Sequence, residues 1–437
     1  MSAIPLVNGT GWVASIAMTR AYLRDPLAVM REVHQRHGPV AQINLFGMPA
    51  IVLLGPEANE HVLLNREGSF SSELGWHPVI GRTFPSGLIS IDGDQHRDDR
   101  RLIGAAFKPD PMRHYMERMS ADIARDLSDW PERLLFYPAI KRLTLQLAAT
   151  VLLGLPLGPQ AEDVGRAFTE MLGASTAIVR RPVPGGALWR GIRARDRLSR
   201  FLLSQIPLRR DRPGPDIFST ICNVAGEDGR PLSGESIVNH INLLLMAAHD
   251  TTTSALTSLA YQLGRHGVWQ DRLREELTVW TRQGADRPDY ESLRTLTLTD
   301  MVLSETLRCM PPVPSLPRGL TRDVEFGGYR LPRGASVGIH ILHTHHMENV
   351  WPQPERFDPL RFTPAMVRER HRYAWLPFGG GTHMCLGLHF ASMQVKLFLA
   401  ELLLHRRIVL PDGYAPHMQW LPISKPRDDL PIRLERA

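Results

Sequence analysis

The residue pattern predicts a mainly α chain with a smaller β region, and three observations support this. Apolar residues recur at helical spacing between Met112 and Leu208, from Glu235 to Leu263, and from Leu386 to Leu404. Strand-like runs are short and occur in two places, Gly38 to Pro56 and Val324 to Ile341, each broken by turn residues. The composition is that of a globular protein: of 437 residues, 43% are hydrophobic and 22% charged, which is enough for a sizeable core.

The first elements follow from local pattern. Val40, Ile43 and Leu45 precede Gly47-Met48-Pro49, and Ile51, Val52 and Leu53 follow it, which predicts a hairpin turning at those three residues. Residues 75–85, with Trp76, His77, Phe84 and several turn formers, read as an irregular loop able to roof a pocket or to pack as a satellite core. Asp92 to Arg101 opens a helix continuing to Phe107, with His96 and Arg100 four apart on one face. The helical pattern from Met112 breaks at Pro156 and at Arg181 to Gly186. Ala187 to Ile206 is then amphipathic and carries Arg190, Arg193, Arg195, Arg197 and Arg200, most simply a solvated basic face.

The chemistry begins in the long apolar helix, with Ser233 as its N-cap and Gly264 as its stop. Its middle reads Ala247-Ala248-His249-Asp250-Thr251-Thr252-Thr253. An acid and threonines among apolar neighbours are costly unless they have partners, and threonine hydroxyls bond back to carbonyls one turn earlier. Further on, Glu305 and Arg308 share a helix face before the stop Pro311-Pro312. Pro354-Glu355-Arg356-Phe357 and then Asp358 to Phe362 follow. His343, His345 and His346 form a cluster for which zinc is a minor reading.

The chain is organised around Phe378 to Gly387, one cysteine in a glycine-rich loop that runs into an apolar helix. Three successive glycines let the backbone take φ > 0 and approach a flat partner closely. A sulfur at or near a helix N-terminus is favoured as thiolate. A thiolate ligand donates electron density to haem iron. A lone cysteine is otherwise most often a buried structural residue.

The stretch resembles the haem loop of the cytochrome P450 superfamily, with Phe378, Gly381, Cys385 and Gly387 in register, His383 where many members have arginine, and Gly379 counted with them as cofactor-binding. The other motifs stand in that family's order, and the resemblance runs from about Gly38 to the end. It implies a soluble bacterial-type member with one domain over 1–437, residues 1–37 a lead-in, and haem b between the long helix and that of Cys385. It implies Cys385 as iron ligand, and His96, Arg100, Arg318 and His383 as haem-propionate partners. Thr251 and Asp250 would serve oxygen activation, the acid relaying protons from solvent, with Ala248 in place of the usual glycine. Glu305, Arg308 and Arg356 would form a buried structural triad. By motif position the pocket would include Trp76, Val79, Ile80, Phe84, Leu244, Ala247, Ala248, Val313, Leu316 and Ile423. Their apolar character suits a terpenoid, steroid, fatty acid or aromatic, and the arginine-rich segment would admit a carboxylate-bearing lipid.

The implied activity is insertion of one atom of O2 into such a small molecule, with NAD(P)H electrons delivered through ferredoxin reductase and ferredoxin. A peroxide-driven hydroxylase, an isomerase and a non-catalytic haem protein that binds a ligand are the alternatives. Composition bounds the rest. Three scattered cysteines make no disulfide framework, which fits the cytoplasm. No run of about 18 apolar residues suggests a membrane anchor. The net charge of +6 comes with no nucleic-acid module. A monomer is expected.

Overall fold

The computed structural model describes residues 3–9, 11–156, 158–175, 181–227, 229–282 and 289–437. The chain divides into two compact units: residues 1–78, 301–385 and 416–427 form one, and residues 79–300, 386–415 and 428–437 the other.

The first unit holds most of the β structure. Its five-stranded sheet runs in the order Val40–Leu45, Met48–Leu53, Ser336–Ile339, Leu316–Leu320, Phe70–Ser71. The expected hairpin is present, but it turns one residue earlier than the sequence suggests, with Leu45 paired to Met48. Phe46 and Gly47 both take positive φ, 56° and 76°, the geometry of a two-residue turn whose twist matches the flanking strands. Met48 and Pro49 are therefore strand residues. Val40, Leu53, Val62, Phe70, Leu320 and Ile339 are buried together against this sheet.

Of residues 75–85, only 81–85 are the irregular loop expected. Ser72–Ile80 is helical despite Pro78. The Ser71 hydroxyl accepts from the Leu74 N–H at its start, and Gly75 lets the helix lie against the strand beneath, since a Cβ there would come within 2.6 Å of the Arg318 backbone.

The second unit is largely helical, with one three-stranded sheet in which Pro431–Arg436 lies between Arg133–Leu135 and Arg406–Val409. Its axis is the long helix, Gly234–Arg265. Ser233 caps it as expected, accepting from Ser236 N at 3.1 Å. Gly264 does not stop it. The helix closes at His266, and Gly264 serves packing, because a Cβ there would lie 2.7 Å from the Leu410 side chain. The apolar helix Leu388–His405 and the arginine-rich helix Ala187–Asp211 belong to the same unit.

Candidate active site

In the first unit the glycine-rich loop is shaped by two left-handed residues, Gly379 at φ 67° and Gly381 at φ 64°. At Gly381 no other residue fits: a Cβ would fall 1.8 Å from the Leu63 carbonyl oxygen. The Cys385 N–H donates to Phe378 O at 2.9 Å and Met384 N–H to Gly381 O at 3.2 Å, closing the loop on itself. Phe378 and His383 are half-buried, and Gly387 caps the helix that starts at Leu388.

None of the three cysteines is in a disulfide. Cys222 is buried, and burial pushes its thiol up to about 11. Burial likewise pushes Cys309 up to about 12. Cys385 is the exposed one, so the loop holds the accessible sulfur that a metal could reach.

The ionic cluster beside this loop departs from expectation. Glu305 and Arg308 are fully buried and paired twice, Nε to Oε2 at 2.7 Å and Nη2 to Oε1 at 2.9 Å. Arg308 also donates to the carbonyls of His345 and Pro354, both at 2.8 Å. The other guanidinium near the carboxylate belongs to Arg361, 3.5 Å from Glu305 Oε1, with its side chain 11% exposed. Arg356 is exposed and offers Arg308 only its carbonyl, at 3.4 Å. The expected Arg356 partnership is therefore corrected to Arg361. Asp358 caps the short 3-10 turn Pro359–Phe362, which carries Arg361, and donates its own N–H to Glu305 at 2.8 Å. The sequence holds two arginine-phenylalanine pairs five residues apart, and only this cap tells them apart.

No group of histidine, cysteine or acid side chains able to hold a metal ion occurs among the described residues. The histidine cluster is structural. The His345 Nδ1–H donates to Arg308 O at 3.2 Å, and its Nε2 accepts from Leu376 N at 2.9 Å. Both ring nitrogens are thus committed, and burial holds the ring neutral, well below its ordinary range.

In the second unit most of the long helix is buried, and one partly exposed stripe runs along its middle, with Met246 and Asp250 half-buried on the other side. Leu244, Ala248 and Thr251 are half-buried and Ala247 is exposed, a spacing of three and four that marks a single face. The Thr251 hydroxyl donates to the Ala247 carbonyl on that face.

Behind the stripe Asp250 is held in place. His249 is fully buried, its Nδ1 3.0 Å from Asp250 Oδ1 and its Nε2 3.1 Å from the Lys141 carbonyl. A carbonyl only accepts, so the Nε2–H donates to it. The Nδ1 contact with Asp250 lies off the line of a good hydrogen bond. Lys141 Nζ stands 3.6 Å from the same oxygen. Burial works to raise the Asp250 carboxyl, while His249 and Lys141 outweigh it and hold the group below the ordinary carboxylate range. Lys141 was not legible as a partner, since it lies 109 positions before Asp250 with no motif to connect them.

The remaining expected residues fall as follows. In the second unit His96 is buried and Arg100 half-buried on the helix Gly93–Gly104, Ile80 and Phe84 are buried, and Val79 is exposed. In the first unit Arg318 is buried in its strand with Nη1 donating to Pro317 O, and Trp76, Val313, Leu316 and Ile423 are half-buried. There Ser424 bonds to the Pro311 and Pro312 carbonyls at 2.9 and 3.0 Å, tying the Ile423 loop to the segment of Val313 and Leu316.

A profile of the family described as cytochrome P450 matches residues 9–151 and 197–425. The chain belongs to the cytochrome P450 family. As a cytochrome P450 it is an oxidoreductase of the monooxygenase kind, and its family implies haem iron. It is 38% identical over 92% of its length to the putative cytochrome P450 136 of Mycobacterium tuberculosis, covering 83% of that protein. It is 29% identical over 99% of its length to the putative cytochrome P450 120 of Synechocystis, covering 98%. The solved retinoic-acid-bound cyanobacterial CYP120A1 superposes with a TM-score of 0.86 at 29% identity, over 96% of each chain. The P450 fold is thus mainly helical with small sheets, as the sequence predicts. The residues present fit a haem, because the exposed thiol of Cys385 sits in a glycine-shaped loop that leads into a helix N-terminus.

Proposed function

We propose that this cytochrome P450 inserts one oxygen atom of O2 into an apolar small molecule, with its two units acting as parts of a single catalytic domain. The observation that carries this reading is the stripe Leu244-Ala247-Ala248-Thr251 with Asp250 anchored behind it. Small apolar side chains leave room for a substrate carbon. The Thr251 hydroxyl and the Asp250 carboxylate, neighbours in sequence on different sides of the helix, would together pass on protons that solvent supplies. A haem b held by the Cys385 thiolate would supply the oxidation chemistry, with His96, Arg100, Arg318 and His383 as partners for its propionates. Phe378, Gly379, Gly381 and Gly387 shape the loop around the sulfur.

The substrate class is an isoprenoid, steroid, fatty acid or aromatic. Trp76, Val79, Ile80, Phe84, Val313, Leu316 and Ile423 join the stripe in lining its pocket. The cyanobacterial CYP120A1 relative was solved with retinoic acid bound, which supports including apolar carboxylic acids. Electrons come from ferredoxin and its NAD(P)H-dependent reductase, and the protein works as a cytoplasmic monomer. Among the basic residues near Arg100, Arg97, Arg101 and Arg113 are already ion-paired to Asp94, Glu227 and Glu291. Lys108 is exposed with no carboxylate partner among the described residues, so it is the residue around which ferredoxin docking centres.

The test is turnover under 18O2 with a ferredoxin and its reductase, screening apolar acids and terpenoids that shift the haem spectrum on binding. One 18O atom per product supports the reading. Product formed only with peroxide, or spectral binding with no oxidation of any ligand, would favour the hydroxylase or ligand-binding alternative.

A further inference from the structure

The first helix, Trp12–Arg24, lies on the first unit with its inner side built from Ser15 and Tyr22, both buried. Its exposed surface combines an apolar arc beside the buried pair with a basic outward face. Trp12 is 79% exposed, Val13 82%, Ile16 51% and Leu23 40%. At 100° per residue, Trp12, Ile16 and Leu23 fall within roughly 40° of arc, with Arg20, Val13 and Arg24 next around the helix. The Phe46-Gly47 turn is fastened to this helix, since Phe46 N–H donates to Thr19 Oγ1 and Gly47 N–H to Ser15 Oγ, both at 2.8 Å. It adds Phe46 and Met48, 51% and 54% exposed. Arg20, Arg24 and Arg427 line a shallow cleft at the same helix. The helix contains no acidic residue, and neither Arg20 nor Arg24 has a carboxylate partner among the described residues.

We propose that the helix Trp12–Arg24 and the Phe46-Met48 turn form a peripheral docking surface for an anionic lipid bilayer. Scattered apolar side chains on a protein surface need no explanation, but a contiguous set does. Here the set combines a tryptophan and aliphatic side chains on one helix face with arginines on the adjoining outward face. That is the chemistry of a helix lying in the interface plane, with its apolar side among acyl chains and its guanidinium groups at phosphate level. No helix among the described residues is long and apolar enough to cross a membrane, so contact of this kind would be reversible. The charge decides the occupant: unpaired arginines complement anionic headgroups and would repel each other across an interface between two copies. The proposal is independent of the oxidation chemistry; it would bring the enzyme to the phase where an apolar substrate dissolves.

The test uses the full-length haem-loaded protein and sedimentation with vesicles of phosphatidylcholine, with or without phosphatidylglycerol. Binding is expected with phosphatidylglycerol and to fall with salt. One basic residue at an anionic surface is worth about fivefold, so Arg20→Ser with Arg24→Ser should weaken partitioning roughly thirtyfold. Trp12→Ser with Ile16→Ser should abolish it while leaving the melting temperature unchanged, because both side chains are exposed. Brominated lipid should quench the fluorescence of the wild type more than that of Trp12→Phe, which isolates Trp12 among the nine tryptophans. The proposal is overturned if the protein ignores anionic vesicles, or if it binds them equally well with both pairs replaced. It is also overturned if Trp12→Ser instead dissociates a dimer or removes binding to an acidic protein.

Discussion

Replacing Arg361 and Arg356 separately by alanine discriminates between two near-identical stretches of sequence. Glu305 has no exposed side-chain surface and accepts from Arg308 twice and from Asp358 N–H once, with Arg361 3.5 Å away. Arg308→Ala would strand that carboxylate and release three carbonyl contacts, costing about 3–5 kcal/mol. Arg361→Ala removes the weaker of two cationic neighbours and leaves the bidentate pair intact, so its cost is that of one imperfectly satisfied buried acceptor, about 1–3 kcal/mol. Arg356→Ala keeps the backbone carbonyl that Arg308 touches and trims an exposed side chain, a change within about 0.5 kcal/mol. Urea midpoints of the haem-loaded protein should therefore rank Arg308→Ala lowest, Arg361→Ala between, and Arg356→Ala beside the wild type. A midpoint for Arg356→Ala as low as that of Arg308→Ala would refute the assignment of Arg361.

Three further outcomes are expected. Thr251→Ala should keep consuming NAD(P)H while product falls and peroxide rises, and Asp250→Asn should slow turnover; fully coupled turnover in Thr251→Ala would remove its role. His249→Phe removes the group fixed between Asp250 and the Lys141 carbonyl, so the pH dependence of turnover should shift with little change in substrate binding, and an unchanged profile would make His249 merely a core residue. Burial lowers His340 and His343 to about 3 and His346 to about 4 from an ordinary value of 6.5. Their unfolded forms take up protons first as pH falls. The stability they contribute is complete above 6.5 and is lost as pH drops towards their folded values, with a slope of about 1.4 kcal/mol per pH unit for each. His343→Gln should flatten the urea-midpoint profile between pH 6 and roughly 4 by one such increment; an unaltered slope would contradict it.

What could be read in the chain depended on the range of each interaction. The long helix, the Glu305-Arg308 pair and the cysteine loop were legible, because spacing within one turn or one glycine loop fixes them. The hairpin was legible to within one residue, and the shift came from the twist that Phe46 and Gly47 supply together. The helix Ser72–Ile80 was missed because Pro78 and Gly75 read as breakers, whereas Gly75 is set by the Arg318 backbone pressed against it. Gly264 misled for the same reason, its neighbour Leu410 lying far along the chain. Lys141 and Arg361 were invisible as partners of Asp250 and Glu305. Which of many arginines and lysines reaches a buried carboxylate is decided by tertiary packing, and here by a single aspartate cap in the case of Arg361.

If Cys385 supplies a thiolate to haem iron, the reduced carbon monoxide complex reports that ligation in its spectrum. The wild type, Cys222→Ala and Cys309→Ala should all show the strongly red-shifted Soret band of thiolate ligation, and Cys385→Ala should lose it along with much of its haem. A wild type without the band, or a Cys385→Ala protein that keeps it, would rule out Cys385 as the iron ligand.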